Sequence, residues 1–122
     1  MNGGYKNLLV WRKSIELSSK IYKITTGFPK EEIYGITNQI RRCSVSIPSN
    51  IAEGYGRNGE GEYKQFLGIS RGSSNELETQ LIIANNIGYL DNDSLEEILK
   101  LLSEIQKILY TLINKTNKYE KK

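Results

Sequence analysis

The strongest constraint on this chain's fold is a repeat toward its C-terminal end. Leu95, Ile98, Leu102, Ile105, Leu109 and Leu112 follow one another at spacings of 3, 4, 3, 4 and 3. That period keeps one face of a helix turned inward and is the seam of a helical bundle. Leu99, Leu101, Ile108 and Ile113 widen the apolar face beyond the seam. Asp93 or Ser94 is the expected cap, and Ser94 with Glu97 has the spacing of a capping box.

Three earlier stretches carry the same period. Between Leu8 and Phe28, Val10, Leu17, Ile21, Ile24 and Phe28 form one stripe, and Trp11, Ile15 and Tyr22 form a second. Together they cover about half the circumference, more than the roughly 100° a surface helix uses. Gly27 followed by Pro29 ends that helix. Ile33, Ile36, Ile40, Cys43, Ile47 and Ile51 then hold one face over spacings of 3, 4, 3, 4 and 4. Pro48 falls inside this pattern and cannot donate to the carbonyl of Ser44, which predicts a kink. Glycines from Gly54 to Gly61 mark a turn.

A third helix is predicted from about Glu60 to Ile87, with Phe66, Ser70, Ser73, Leu77, Leu81, Ala84 and Ile87 inward, and Gly88 closes it. Gly68 and Gly72 lie inside it, each costing roughly 1 kcal/mol relative to Ala. A close backbone approach to the small residues Cys43, Ser44, Ser46 and Ala52 is the expected compensation. Four helices on short turns predict an all-α, up-and-down four-helix bundle with a proline-kinked second helix over residues 1–114. A basic C-terminal tail follows at 115–122. The first and fourth helices carry more apolar surface than one core can use, which predicts a homo-oligomer.

Composition narrows the chemistry. The chain has no histidine, so the commonest general base and the imidazole metal ligand are missing. An enzyme is therefore not expected, and neither a cofactor nor a metal site is. A single cysteine, Cys43, cannot make an internal disulfide, which fits a cytoplasmic setting, and its place on the inward stripe makes it a small core residue. No apolar run is long enough for a membrane span, and the first residues lack the apolar stretch of a signal peptide.

Two patterns imitate sites. Gly54-Tyr55-Gly56-Arg57-Asn58-Gly59 matches a dinucleotide fingerprint but follows a helix, where that fingerprint needs a strand. The acids from Asp91 to Glu97 lack the mid-loop glycine of a calcium loop and read as helix N-terminal acids.

Charge is unevenly distributed. Residues 1–58 carry nine Lys/Arg against four Asp/Glu, residues 59–114 four against nine, and the tail four against one. The basic half can meet phosphates, or the acidic half of the same or a neighbouring subunit. Lys13, Lys20 and Lys23 on the polar face of the first helix, with Arg41 on the second, are the candidate phosphate contacts. Gln39, Arg42, Asn50, Glu53, Arg57 and Glu76 fall in the tightly packed part of helices two and three. If buried they must pair, and Arg42 and Arg57 balance Glu53 and Glu76. They form either a structural network or a partner contact.

Two segments carry a family resemblance: Phe28-Pro29-Lys30-Glu31-Glu32-Ile33-Tyr34-Gly35-Ile36-Thr37-Asn38-Gln39-Ile40-Arg41-Arg42 and Ser46-Ile47-Pro48-Ser49-Asn50-Ile51-Ala52-Glu53-Gly54-Tyr55-Gly56-Arg57. Both resemble the four-helix-bundle proteins encoded in intervening sequences of 23S ribosomal RNA. Tyr5 to Trp11, Gly72 to Leu77 and Gly88-Tyr89-Leu90 match the same pattern. The family's relatives include the accessory protein of diversity-generating retroelements, which binds nucleic acid beside a reverse transcriptase. The resemblance implies a ring-like homopentamer without catalytic residues, in which Pro48, Asn50, Glu53, Gly54 and Arg57 are architectural. It leaves two functional expectations. One is an oligomer that binds structured RNA or RNA/DNA through phosphates, as an accessory to a reverse transcriptase. The other is a protein-only assembly scaffold.

Overall fold

The computed structural model describes residues 4–120, with side chains through residue 115. After a 3-10 turn at Gly4–Asn7 come α1 (Leu9–Thr25), α2 (Ile36–Tyr55), α3 (Glu60–Asn86) and α4 (Asn92–Glu120). A second 3-10 turn, Lys30–Glu32, lies between α1 and α2. No strand occurs among the described residues. Each helix packs on its neighbours in sequence and α4 returns to α1, while the diagonal pairs stay apart. That is the contact ring of a four-helix bundle. The backbone of α4 takes in most of the 115–122 tail; the side chains of 116–120, and residues 121–122 altogether, lie outside the described residues.

The helix ends follow from local chemistry. The hydroxyls of Thr25 and Thr26 donate back to the carbonyls of Ile21 at 2.7 Å and Tyr22 at 3.0 Å as α1 stops. Gly88, at φ +87°, ends α3. Its N–H reaches Asn85 O at 3.1 Å and that of Tyr89 reaches Ala84 O at 2.9 Å, the paired bonds of a Schellman cap. At α4 the expected cap is displaced. Asp91, rather than Asp93 or Ser94, accepts the Ser94 N–H at 2.7 Å and the Ser94 hydroxyl at 3.2 Å. Ser94 is thus the residue being capped, and no capping box forms with Glu97.

Pro48 is buried inside one continuous helix. The carbonyl it leaves without a donor, that of Ser44, accepts the Ser18 hydroxyl from α1 at 2.9 Å. A serine one helix away therefore supplies the hydrogen bond that the proline removes. Close approach between α2 and α3 also runs through serines. Ser70, fully buried, donates to Ile47 O at 2.9 Å, and the hydroxyls of Ser46 and Ser73 meet at 2.9 Å.

The glycines of α3 do not serve that purpose. Gly68 and Gly72 are exposed, and a Cβ built on either would meet nothing within 4 Å. The glycine that permits close approach is Gly54, where a Cβ would lie 2.6 Å from Phe66 Cβ.

Val10, Leu17 and Ile21 of α1 join Ile40, Ile47 and Ile51 of α2 in the core. Leu67, Leu77 and Leu81 of α3, with Ile98, Leu102, Ile105 and Leu109 of α4, complete it. The inward face of α3 is rotated slightly from expectation: Leu67 and Ser74 are buried in place of Phe66 and Ser73, and Ile87 is exposed. The second stripe of α1 stays outside the core, with Ile15 and Tyr22 exposed and Trp11 half-buried.

Candidate nucleic-acid interface

The four candidate phosphate contacts do not converge. Lys13 Nζ donates to Glu104 Oε1 at 2.8 Å, and Lys20 Nζ to Glu97 Oε2 at 3.0 Å. Both pairs are seven residues apart on α1 and on α4, so the antiparallel helices lock them as two rungs of one ladder. The Glu104 hydrogen bond holds the Lys13 ammonium above its ordinary pKa, and Lys13 in turn holds the Glu104 carboxyl below its own. Glu97 raises Lys20 in the same way. The acidic half of the chain thus neutralises part of the basic half within one subunit.

Arg41 faces the other side of α1. Its guanidinium lies 4.8 Å from the Tyr22 ring centroid, and its Nε donates to Thr25 Oγ1 at 2.8 Å. Stacking on an aromatic face leaves the outer guanidinium N–H groups available. Lys23 is exposed and has no ion pair among the described residues. Of the four cations, Lys23 and Arg41 keep unused capacity for phosphate.

The expected polar network divides. Arg57 and Glu53 pair at 2.7 Å, one helical turn apart, but both are about half exposed (44% and 54%), so no buried charge pair exists there. Arg57 also lies over the Phe66 ring, 5.1 Å from its centroid. Asn50 is half-buried and donates to Ser46, at 2.8 Å to its carbonyl and 3.0 Å to its hydroxyl. Arg42 and Glu76 are exposed and line a groove of about 320 Å³ between α2 and α3. Cys43, also at that groove, is buried and donates to Ser73 O at 3.1 Å. Burial, with the Glu76 carboxylate beside it, pushes the Cys43 thiol up to about 12, so it is not a nucleophile at neutral pH.

Sequence reasoning missed Ser18 and Ser70, whose value depends on which carbonyl faces them across a helix pair. It also missed an apolar groove of about 270 Å³ between α1 and α2, lined in part by Tyr5, Trp11, Ile15, Val45 and Pro48. Tyr5 and Trp11 meet edge-to-face there, with centroids 5.3 Å apart. Ile15 and Val45 are each 40% exposed.

The sequence matches the family described as 23S rRNA-intervening sequence protein over residues 6–111. The chain belongs to this family. Among curated proteins none matches. A crystal structure from Bacteroides thetaiotaomicron VPI-5482, described as a protein with unknown function from the S23 ribosomal protein family, is similar at 27% identity. The likeness covers 86% of this chain and 98% of that one, with a TM-score of 0.78. The four-helix fold thus agrees with the family's. Among the described residues no cluster of His, Cys, Asp or Glu could hold a metal ion, and no helix is long and apolar enough to cross a membrane.

Proposed function

We infer that this protein is a non-enzymatic oligomer that binds structured RNA, or RNA paired with DNA, through phosphate contacts. The subunits assemble as a ring-like homopentamer, and Pro48 kinks α2 so that the α1/α2 face curves against its neighbour. The resemblance to retroelement accessory proteins makes a reverse transcriptase the protein partner of this reading. The observation that carries the reading is the apolar groove between α1 and α2, where Ile15 and Val45 are each 40% exposed beside Tyr5 and Trp11. A contiguous apolar patch of that kind marks an interface. Five-fold repetition of Lys23 and Arg41 would turn two cations per subunit into a multivalent ring. Membership of the 23S rRNA-intervening sequence family supports an RNA association.

Light scattering tests the assembly: a mass of five subunits is expected, and a mass near one subunit refutes it. Ile15→Glu should dissociate the ring. Anisotropy titration of a structured RNA at low and moderate salt tests the binding, which should fall steeply with salt by counterion release. Lys23→Glu should weaken binding and flatten that slope. Lys20 is a poorer probe, because Glu there would face Glu97.

One observation favours a protein-only scaffold instead: Lys13 and Lys20 are already neutralised by carboxylates of α4. A ring that binds no RNA even at low salt would establish that reading.

A further inference from the structure

The groove between α2 and α3 is polar where ligand pockets are ordinarily apolar. Its inner hydroxyls are satisfied: Ser46 and Ser73 bond each other, and Asn50 donates to Ser46. The Glu76 carboxylate lies beside the Cys43 thiol, and one buried polar atom of the lining is left over. Among the described residues Gln80 Oε1 is buried without a hydrogen-bond partner, an arrangement that costs free energy until a donor arrives. Arg42 and Glu76, opposite in charge, line the same groove, yet no ion pair joins them among the described residues. Asn38 and Gln39 add two exposed amides.

Resting on the nucleic-acid reading above and going further, we propose that this groove takes an unpaired guanine base of the bound RNA. Arginine, glutamate and the amides are the side chains that read base edges. Guanine presents the O6 acceptor beside two donors, N1–H and the N2 amino group, on one edge. Arg42 supplies N–H donors to O6, and the two oxygens of Glu76 accept from N1–H and N2–H. The amide of Gln80 serves the remaining positions and gives its buried oxygen a donor. Opposite charges that line one groove without an ion pair between them fit a neutral group that carries both an acceptor and donors. Neither a phosphate nor an apolar side chain meets that description. Specific reading of RNA targets such bases in loops and bulges, where the edge is free. Phosphate contacts would then hold the strand while this groove selects one base in it.

The test uses uridine-rich single strands carrying one central guanosine, inosine or adenosine, titrated by anisotropy against the full chain at low salt. Inosine lacks the N2 amino group and so removes one donor to Glu76. The guanosine strand should bind about 5- to 100-fold tighter than the adenosine strand, with inosine between. Glu76→Gln should abolish the difference between guanosine and inosine, and Arg42→Ala should weaken the guanosine strand most. Both residues are exposed, and a melting curve checks that each variant folds. Equal binding of the three strands overturns this inference and leaves phosphate binding standing. An unchanged preference in Glu76→Gln overturns it too, as does a changed oligomer mass, which would make the groove a subunit contact. Absence of binding by every strand overturns it together with the wider nucleic-acid reading.

Discussion

Glycine-to-alanine substitutions at three positions should move stability in opposite directions, although the chemical change is the same. At Gly54 an added Cβ would lie 2.6 Å from Phe66 Cβ and 3.3 Å from both Tyr63 O and Tyr63 Cδ1. Carbon atoms prefer about 3.5–4.0 Å. Phe66 Cβ is fixed to the backbone of α3, so relief requires α3 to move by about 1 Å rather than a side chain to rotate. Overpacking of that kind costs about 1–3 kcal/mol. Better helix propensity returns at most about 1 kcal/mol, and less in a last turn. The net expectation is a loss of about 1–2 kcal/mol.

At Gly68 and Gly72 the same methyl meets nothing within 4 Å. Only the entropic gain remains, about 0.5–1 kcal/mol at each. For a chain of 122 residues, 1 kcal/mol is about 3–5 °C in Tm. Thermal and urea melts followed by circular dichroism should therefore place Gly54→Ala below the parent and the Gly68→Ala/Gly72→Ala double variant above it. A Gly54→Ala melt that overlays the parent's would refute the close-approach argument. A double variant that melts lower would mean another chain packs on those glycines, and the loss would then depend on protein concentration.

Three further predictions follow from individual contacts. Glu53→Ala should change stability by no more than about 0.5 kcal/mol in a urea melt, since its pair with Arg57 is exposed; a loss of several kcal/mol would restore the buried network. The Glu104 carboxyl is depressed by Lys13, so its stabilisation is present above the ordinary carboxylate pKa and is lost as pH falls below about 4. Glu104→Gln should flatten the acid limb of a Tm–pH profile, and an unchanged limb would show the pair contributes nothing. Ser18→Ala leaves Ser44 O without its donor and should cost about 1–2 kcal/mol, but much less in a Pro48→Ala background, where residue 48 regains an N–H. Equal costs in both backgrounds would disconnect Ser18 from the proline.

The helices were legible because apolar spacing is a local property: four appear, although Phe28 and Ile33, counted in the first two stripes, lie outside α1 and α2 and Ile33 is exposed. The cap of α4 was not, because Asp91, Asn92, Asp93 and Ser94 are four consecutive residues that can each cap. Spacing marks a window there, and only backbone geometry selects Asp91. Gly68 and Gly72 misled for a related reason: a missing side chain does not say which way it faces. The halves of opposite charge hinted at compensation within the subunit, yet Lys13 and Glu104 are 91 residues apart. Their pairing depends on the register of α1 against α4, which no local pattern contains. Arg42, Glu53 and Glu76 lie on the outer surface of α2 and α3 and Arg57 in the turn between them, so the expected packed network is not there. Charge balance alone cannot distinguish a buried pair from an exposed one.

Function should concentrate where the bundle leaves bonding capacity unused, and the faces differ in that respect. The α1/α4 face is finished: its lysines are paired to glutamates, and a phosphate would have to displace a carboxylate from each. On the α1/α2 face the carbonyl freed by Pro48 is satisfied by Ser18, but the outer N–H groups of Arg41 and the exposed side chains of Ile15 and Val45 are left over. The α2/α3 face is the reverse, closely packed through serines beside a groove where Gln80 Oε1 lacks a partner and no ion pair joins Arg42 to Glu76 among the described residues. An apolar remainder suits another copy of the same rigid surface, because burial is non-directional and needs only shape. A remainder of directed donors and acceptors suits a ligand that presents the complementary pattern. Assembly and base recognition can therefore occupy adjacent faces of one subunit, and phosphate contact meets assembly where Arg41 stacks on Tyr22.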